Sequence, residues 1–178
     1  ISKLKEAVNS DIENGNIPFL IVATVGTTDF GSIDNIQEIS KICKKHNIFL
    51  HADAAYGSGV ILSEKYSHLV KDLHLCDSIT VDFHKMFLLP ISCSCVLVKN
   101  AEFFDALTIH ADYLNRTEDE EDGYTNLVDK SLQTTRRCDA LKVWMSFQER
   151  GKEGWSKIIT KNMENAKEEY LNYTNYFS

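Results

Sequence analysis

The apolar positions along the chain switch between two spacings, and the switches mark out its elements. Leu4, Ala7, Val8 and Ile12 recur at helical intervals up to Gly15, which predicts an amphipathic helix. The run from Phe19 to Val25 has no polar residue except Thr24, and an apolar stretch of this kind predicts a strand buried on both faces. Ile33, Ile36, Ile39, Ile42 and Cys43 return to helical spacing, with Ser32 or Asp34 placed to cap the start. Short strands are predicted at Asn47 to His51, Ser78 to Val81 and Ile91 to Val98. Between the first two of these, Gly57 and Gly59 break the chain before a helix through Leu62, Leu69 and Leu73.

Strands that alternate with helices of this length predict an α/β fold with a mostly parallel sheet covered on both faces. In such sheets ligands bind beyond the carboxyl ends of the strands. Those ends fall at Val25 to Phe30, His51 to Tyr56 and Val81 to Lys85, and all three carry polar groups.

The second half has a different pattern. Residues 108 to 126 are polar and contain Glu118-Asp119-Glu120-Glu121-Asp122, five like charges in a row that predict a solvated loop. A loop near twenty residues in length is unusual in a compact domain and points to function. Leu141, Trp144, Met145 and Gln148 then share one helix face. A last helix from about Trp155 carries Ile158, Ile159, Met163, Ala166, Tyr170, Tyr173 and Phe177 on one stripe. Its aromatic end exposes apolar area in an isolated domain, so a covering surface is expected.

Composition narrows the classes. The 178 residues are 43% hydrophobic and 25% charged with only 2 prolines, which describes an ordered, core-forming chain. A net charge of −7 disfavours nucleic acid and anionic membrane as partners, since both need a basic face. No apolar run approaches the ~20 residues a bilayer requires, and neither end reads as a signal peptide. The five cysteines are odd in number, and Cys93-x-Cys95 is not a zinc spacing, so reduced thiols in a cytoplasmic protein are expected. The chain begins at Ile1 rather than Met, as a section of a longer protein would.

Taken singly, the polar strand ends are unremarkable. Gly26-Thr27-Thr28 reads as a turn, Asp53 as a cap or ion-pair partner, and Lys85 as a surface lysine. Taken together, a carboxylate and an amine at neighbouring ends of one parallel sheet suit pyridoxal 5'-phosphate. Its aldehyde forms a Schiff base with lysine, and its ring nitrogen needs an acidic partner.

The segments Ala23-Thr24-Val25-Gly26-Thr27-Thr28, His51-Ala52-Asp53-Ala54-Ala55-Tyr56, Asp77 to Lys85 and Ser131-Leu132-Gln133-Thr134-Thr135-Arg136-Arg137 resemble, in order and separation, the group II pyridoxal-phosphate-dependent amino-acid decarboxylases. The resemblance covers essentially the whole chain. It implies the three-layer large domain of fold-type I transferases, followed by helices. Residues 1–106 would belong to the cofactor-binding domain and 107–130 to a mobile catalytic loop. Residues 131–178 would complete the domain and lead towards a C-terminal one.

The resemblance also implies roles. Lys85 would form the Schiff base, Asp53 would pair with the pyridinium nitrogen, Ala55 would pack on the ring and Thr28 would lie near the ring oxygen. His84 would sit beside the cofactor or the substrate carboxylate. Asp82 stands where many members have Asn, and an acid there is electrostatically awkward beside a phosphate. Tyr113 would be the loop phenol that protonates Cα after carbon dioxide leaves. Arg136 would bind the substrate carboxylate with two parallel hydrogen bonds.

The segment from Asp77 to Ser94 looks most similar to L-2,4-diaminobutyrate decarboxylases, with aspartate, cysteine-sulfinate, glutamate and aromatic amino acids as the other candidate substrates. The family's enzymes are longer homodimers. The resemblance therefore places phosphate-binding and ring-stacking residues before Ile1, and leaves this segment alone without catalysis.

Two other classes remain open. His51, Asp53 and His84 could ligate a metal in a hydrolase, although the spacing shows no second shell. A non-catalytic binding or scaffold relative is the other. Metal ligands are otherwise not predicted.

Overall fold

The computed structural model describes residues 1–107, 122–123, 127–131, 133 and 135–176. They form two compact units, one made of 1–97 with 139 onward and the other of 98–138.

The first unit is built on a four-stranded sheet in the order β1 (Leu20–Thr24), β2 (Phe49–Asp53), β3 (Ser78–Asp82) and β4 (Ser94–Val98). β1 to β2 and β2 to β3 are parallel, and the register sets Thr24 beside Asp53 and Asp53 beside Thr80. α1 (Ser2–Glu13) precedes β1, and α2 (Ile36–His46) connects β1 to β2. The fold is therefore α/β with a mostly parallel sheet, as expected.

Local chemistry explains the element ends. The cap of α2 is Asn35, whose side chain accepts from Glu38 N–H at 3.0 Å, rather than Ser32 or Asp34. Asp34 is used elsewhere: its carboxylate accepts from the Thr24 amide at 2.7 Å and secures the end of β1. Ile33 lies outside α2 and forms an antiparallel bridge with Val25. α2 closes on Asn47, which takes the left-handed conformation that asparagine tolerates. The expected helix through Leu62 and Leu73 is two 3-10 helices, Gly57–Leu62 and Ser67–Leu75. Gly57 starts the first of them rather than breaking the chain, because a β-carbon there would collide with the Val25 carbonyl.

The core lies on one side of the sheet. Ala23, Val25, Leu50 and Ala52 pack against Val8 of α1 and Ile36, Ile39 and Ile42 of α2. Leu20 and Val22 point the other way and are 42% and 54% exposed. β1 is thus half-buried within this chain rather than buried on both faces.

A second cluster gathers under β3. Val81 and Phe87 meet Trp155 and Ile159 of α3 (Ala140–Tyr176), a helix interrupted at Gly151. The Phe87 and Trp155 rings meet edge to face at 5.7 Å, and Arg150 lies 4.9 Å from the Trp155 ring centre. The other helical stripe, Leu141, Trp144 and Met145, is exposed instead of packed. All five cysteines are free thiols.

The second unit contains the 3-10 helices Ala101–Leu107 and Leu127–Lys130. Asn100 caps the first through the Glu102 amide at 3.0 Å, and the Lys130 ammonium lies 5.8 Å from the Phe104 ring centre. No helix among the described residues is long and apolar enough to cross a membrane.

Trp155 is fully buried, and its indole N–H has no hydrogen-bond partner among the described residues. Trp155→Ala is expected to cost about 3–5 kcal/mol in denaturant unfolding through the cavity it leaves. Trp155→Phe should cost clearly less, because it also removes an unsatisfied donor.

Candidate active site

Parallel register brings the polar strand ends to one edge. Asp53 closes β2 and Asp82 closes β3, and alternation along the strands turns His51, Asp53, Thr80 and Asp82 towards the same face. His51 is fixed there by Ser78 Oγ at 2.7 Å from Nδ1 and Thr80 Oγ1 at 3.0 Å from Nε2. Both of its nitrogens are therefore engaged by hydroxyls. Asp53 is exposed and accepts only from the Ala55 amide, at 3.2 Å, so its second oxygen is free among the described residues. Ala54 is buried and Ala55 half-buried, which leaves the backbone after Asp53 without a bulky side chain.

Lys85 follows β3 on a tight turn: its amide donates to the Asp82 carbonyl, and its own carbonyl accepts from Leu88 N–H at 2.9 Å. Leu88 holds a positive φ of 55°, a strained conformation for a branched residue that its surroundings must enforce. Phe83, Met86 and Phe87 on either side of Lys85 pack into the Trp155 cluster. The loop beyond is tied down twice. The Cys93 backbone meets His84 Nδ1, with the carbonyl at 3.0 Å and the amide at 3.2 Å, and Lys142 of α3 donates to the Pro90 carbonyl at 3.1 Å.

The Lys85 ammonium sits 2.8 Å from Asp82, and His84 Nε2 approaches the same carboxylate at 3.7 Å. Burial pushes the Asp82 carboxyl up. Hydrogen bonds from Lys85 and Ser94, with the charges of Lys85 and His84, outweigh burial and hold it below its ordinary range.

Thr28 and Lys85 line a cavity of about 890 Å³, with Tyr56, Met86, Asn162 and Met163 among its other walls. Asp53, Ala55, His84 and Asp82 do not line it. The expected pairing of Asp53 and Lys85 across one pocket is thus present as neighbouring strand ends rather than as facing walls, because the lysine side chain is turned onto Asp82. Tyr113 lies outside the described residues. Arg136 is exposed in the second unit, where its guanidinium donates to the Gln133 carbonyl. Among the described residues no group of three or more His, Cys, Asp or Glu side chains converges to hold a metal, and His51, the first of the three ligands considered above, spends both nitrogens on hydroxyls.

Sequence reasoning missed Lys142, which holds the lysine loop, and read Asp34 as a helix cap although it ends β1. The spacing of Lys142 three residues after Asp139, where the two form a 2.8 Å pair, was the available signal.

A lysine on a turn at the end of one parallel strand thus stands beside an exposed carboxylate at the end of the neighbouring strand in an α/β fold. Residues 1–174 match the model of the pyridoxal-dependent decarboxylase conserved domain, and the chain belongs to that family. It is 42% identical over 154 residues to an L-2,4-diaminobutyrate decarboxylase of Acinetobacter baumannii, an alignment that takes in 86% of this chain and 30% of that protein. Its fold superimposes on the crystal structure of mouse CSAD with a TM-score of 0.82 at 27% identity, over 97% of this chain and 35% of that one. It also superimposes on the glutamate decarboxylase domain of the diaminobutyrate-pyruvate transaminase and L-2,4-diaminobutyrate decarboxylase of Vibrio parahaemolyticus. There the TM-score is 0.69 at 35% identity, over 88% and 29% of the two chains. The chain thus spans about a third of the length of these relatives.

The sign of the Asp82 shift sets a pH dependence. A carboxyl lowered on folding contributes stability that is present above its unfolded value of about 3.9 and lost as pH falls through the lower folded value. Asp82→Asn removes that contribution. The stability difference between wild type and variant, measured by guanidinium unfolding, should therefore shrink between about pH 6 and about pH 3.

Proposed function

We propose that this chain is the lysine-bearing section of a longer, homodimeric, cytoplasmic enzyme that decarboxylates an L-amino acid to an amine and carbon dioxide with pyridoxal 5'-phosphate. L-2,4-diaminobutyrate is the favoured substrate, ahead of aspartate, cysteine-sulfinate and glutamate. The observation that carries the reading is the register: Asp53 and the Asp82–Lys85 turn occupy adjacent parallel strand ends, in a chain whose family is pyridoxal-dependent. Residues 1–106 would hold the cofactor, 107–130 would form the catalytic loop, and 131–178 would complete the domain.

The residues present fit the cofactor. Lys85 supplies an amine, and Asp53 offers an oxygen without a partner among the described residues. The Ala54-Ala55 backbone leaves room beside it, and Thr28 and Lys85 both line the cavity. When bound, the cofactor acts as an electron sink that weakens the bonds at the substrate Cα.

The protein's own work is positioning and proton control. Lys85 must leave Asp82 to hold the cofactor and must later release the product. Asp53 would pair with the ring nitrogen and hold a proton on it, an attraction that strengthens as water is excluded from the pair. His84, oriented by the Cys93 backbone, stands beside Lys85 to meet a carboxylate. Asp82 pairs with the Lys85 ammonium before the cofactor arrives, a role compatible with an acid at a place where Asn is common. Arg136 would grip the α-carboxylate, and Tyr113 would return the proton to Cα under a closed loop that excludes water.

In the complete enzyme, borohydride treatment followed by peptide mass analysis should find the pyridoxyl group on Lys85, and Lys85→Ala should lose both the adduct and carbon dioxide release. An adduct on another lysine would refute the assignment. Arg136→Met should raise KM about ten- to hundredfold, the value of a charge-assisted hydrogen bond pair. Tyr113→Phe should lower kcat with a smaller change in KM.

A further inference from the structure

The turn after β1 carries a feature that the proposed reaction leaves unused. Residues 27 to 31 form a closed loop. Gly31 N–H donates to the Thr27 carbonyl at 2.9 Å and Ser32 N–H to Thr27 Oγ1 at 2.9 Å, while Gly26 and Thr27 donate to the Ser32 carbonyl at 3.0 and 3.1 Å. The Val25–Ile33 bridge seals the base. Asp29 stands at the tip, directly after Thr28, and lines the same 890 Å³ cavity as Lys85. Among the described residues it is the only acidic one that lines the cavity, and it has no hydrogen bond or ion pair with any of them.

A carboxylate on a loop closed by hydrogen bonds, without a partner among the described residues, lines a cavity beside apolar Ile33, Met86 and Met163 and can pair with a cation there. Preorganisation removes the ordering cost of binding.

We propose that Asp29 is a specificity-determining residue that pairs with a positively charged side chain of the substrate, so that this enzyme selects diamino acids over neutral and acidic ones. The inference rests on the decarboxylase reading and supplies its missing side-chain contact. The cavity also carries Lys167 of α3, the matching group for an acidic side chain, so the two readings make opposite demands on one pocket. Asp29 is next in sequence to Thr28, a residue expected at the cofactor, whereas Lys167 is contributed by α3.

The test uses the complete holoenzyme with three amino acids: diaminobutyrate, norvaline (a methyl group in place of the side-chain ammonium) and glutamate. Asp29→Asn should lower the ratio of kcat/KM for diaminobutyrate over norvaline at least tenfold, mainly through KM, and Asp29→Glu should restore part of it. Calorimetry gives a readout apart from turnover: the preference for binding 1,3-diaminopropane over 1-aminopropane should fall by a similar factor. Asp29 is exposed and unpaired, so the variant is expected to fold, as far-UV circular dichroism will report. An unchanged ratio in Asp29→Asn overturns the assignment, and so does a wild-type preference for glutamate that the variant leaves untouched. Either result with the Lys85 adduct intact removes only Asp29. Loss of the adduct in the wild type removes the decarboxylase reading itself.

Discussion

Parallel pairing of β1, β2 and β3 is the constraint on which the site depends. In a parallel sheet every strand ends on the same edge, so residues far apart in sequence arrive side by side without any contact of their own. Asp53 and Asp82 are twenty-nine positions apart, yet the hydrogen-bond register of β2 and β3 places them at neighbouring corners. A slip of one residue would turn each of these side chains to the opposite face and bury it among Leu50, Ala52 and Val81. The apolar residues that alternate with them therefore do two things: they form the core, and they lock the polar ones in place.

Much of the architecture was legible because its signals are local. The helical spacing of Ile36, Ile39 and Ile42 needs only one buried face to be read, and the strands at Leu20, Phe49 and Ser78 stand within a residue or two of where their apolar runs place them. Other features were hidden because they are decided at a distance. Asp34 reads as a helix cap until its carboxylate is found on the Thr24 amide, ten residues back. Gly57 reads as a break until the Val25 carbonyl is seen to occupy the space of its missing side chain. The burial of β1 was overestimated because periodicity cannot tell a covered face from a merely apolar one, and Leu20 and Val22 are apolar and open.

The candidate site was legible in its parts and not in its arrangement. Lys85, Asp53 and Thr28 are unremarkable singly and stand out only as a set at neighbouring strand ends, to which the resemblance to decarboxylases assigns tasks. What the spacing could not convey is that the lysine is engaged already. Asp82 holds it at 2.8 Å, Ser94 and His84 hold Asp82, and Cys93 holds His84. The strained Leu88 and the aromatic packing of Phe83 and Phe87 brace the same turn from behind. The position of one amine is thus set by a chain of contacts that runs through β3, β4 and α3.

The link between Lys142, Asp139 and the loop before β4 also bears on how this family can diversify. Both places where the 98–138 segment leaves the first unit are secured within that unit. At one, β4 pairs with β3. At the other, Asp139 accepts from the Cys93 thiol at 3.7 Å and binds Lys142. Chain inserted between two anchored ends adds only about 0.6 kcal/mol of closure entropy for each doubling of length. Segments of very different size could therefore be exchanged there without disturbing the sheet edge or the turn that carries Lys85.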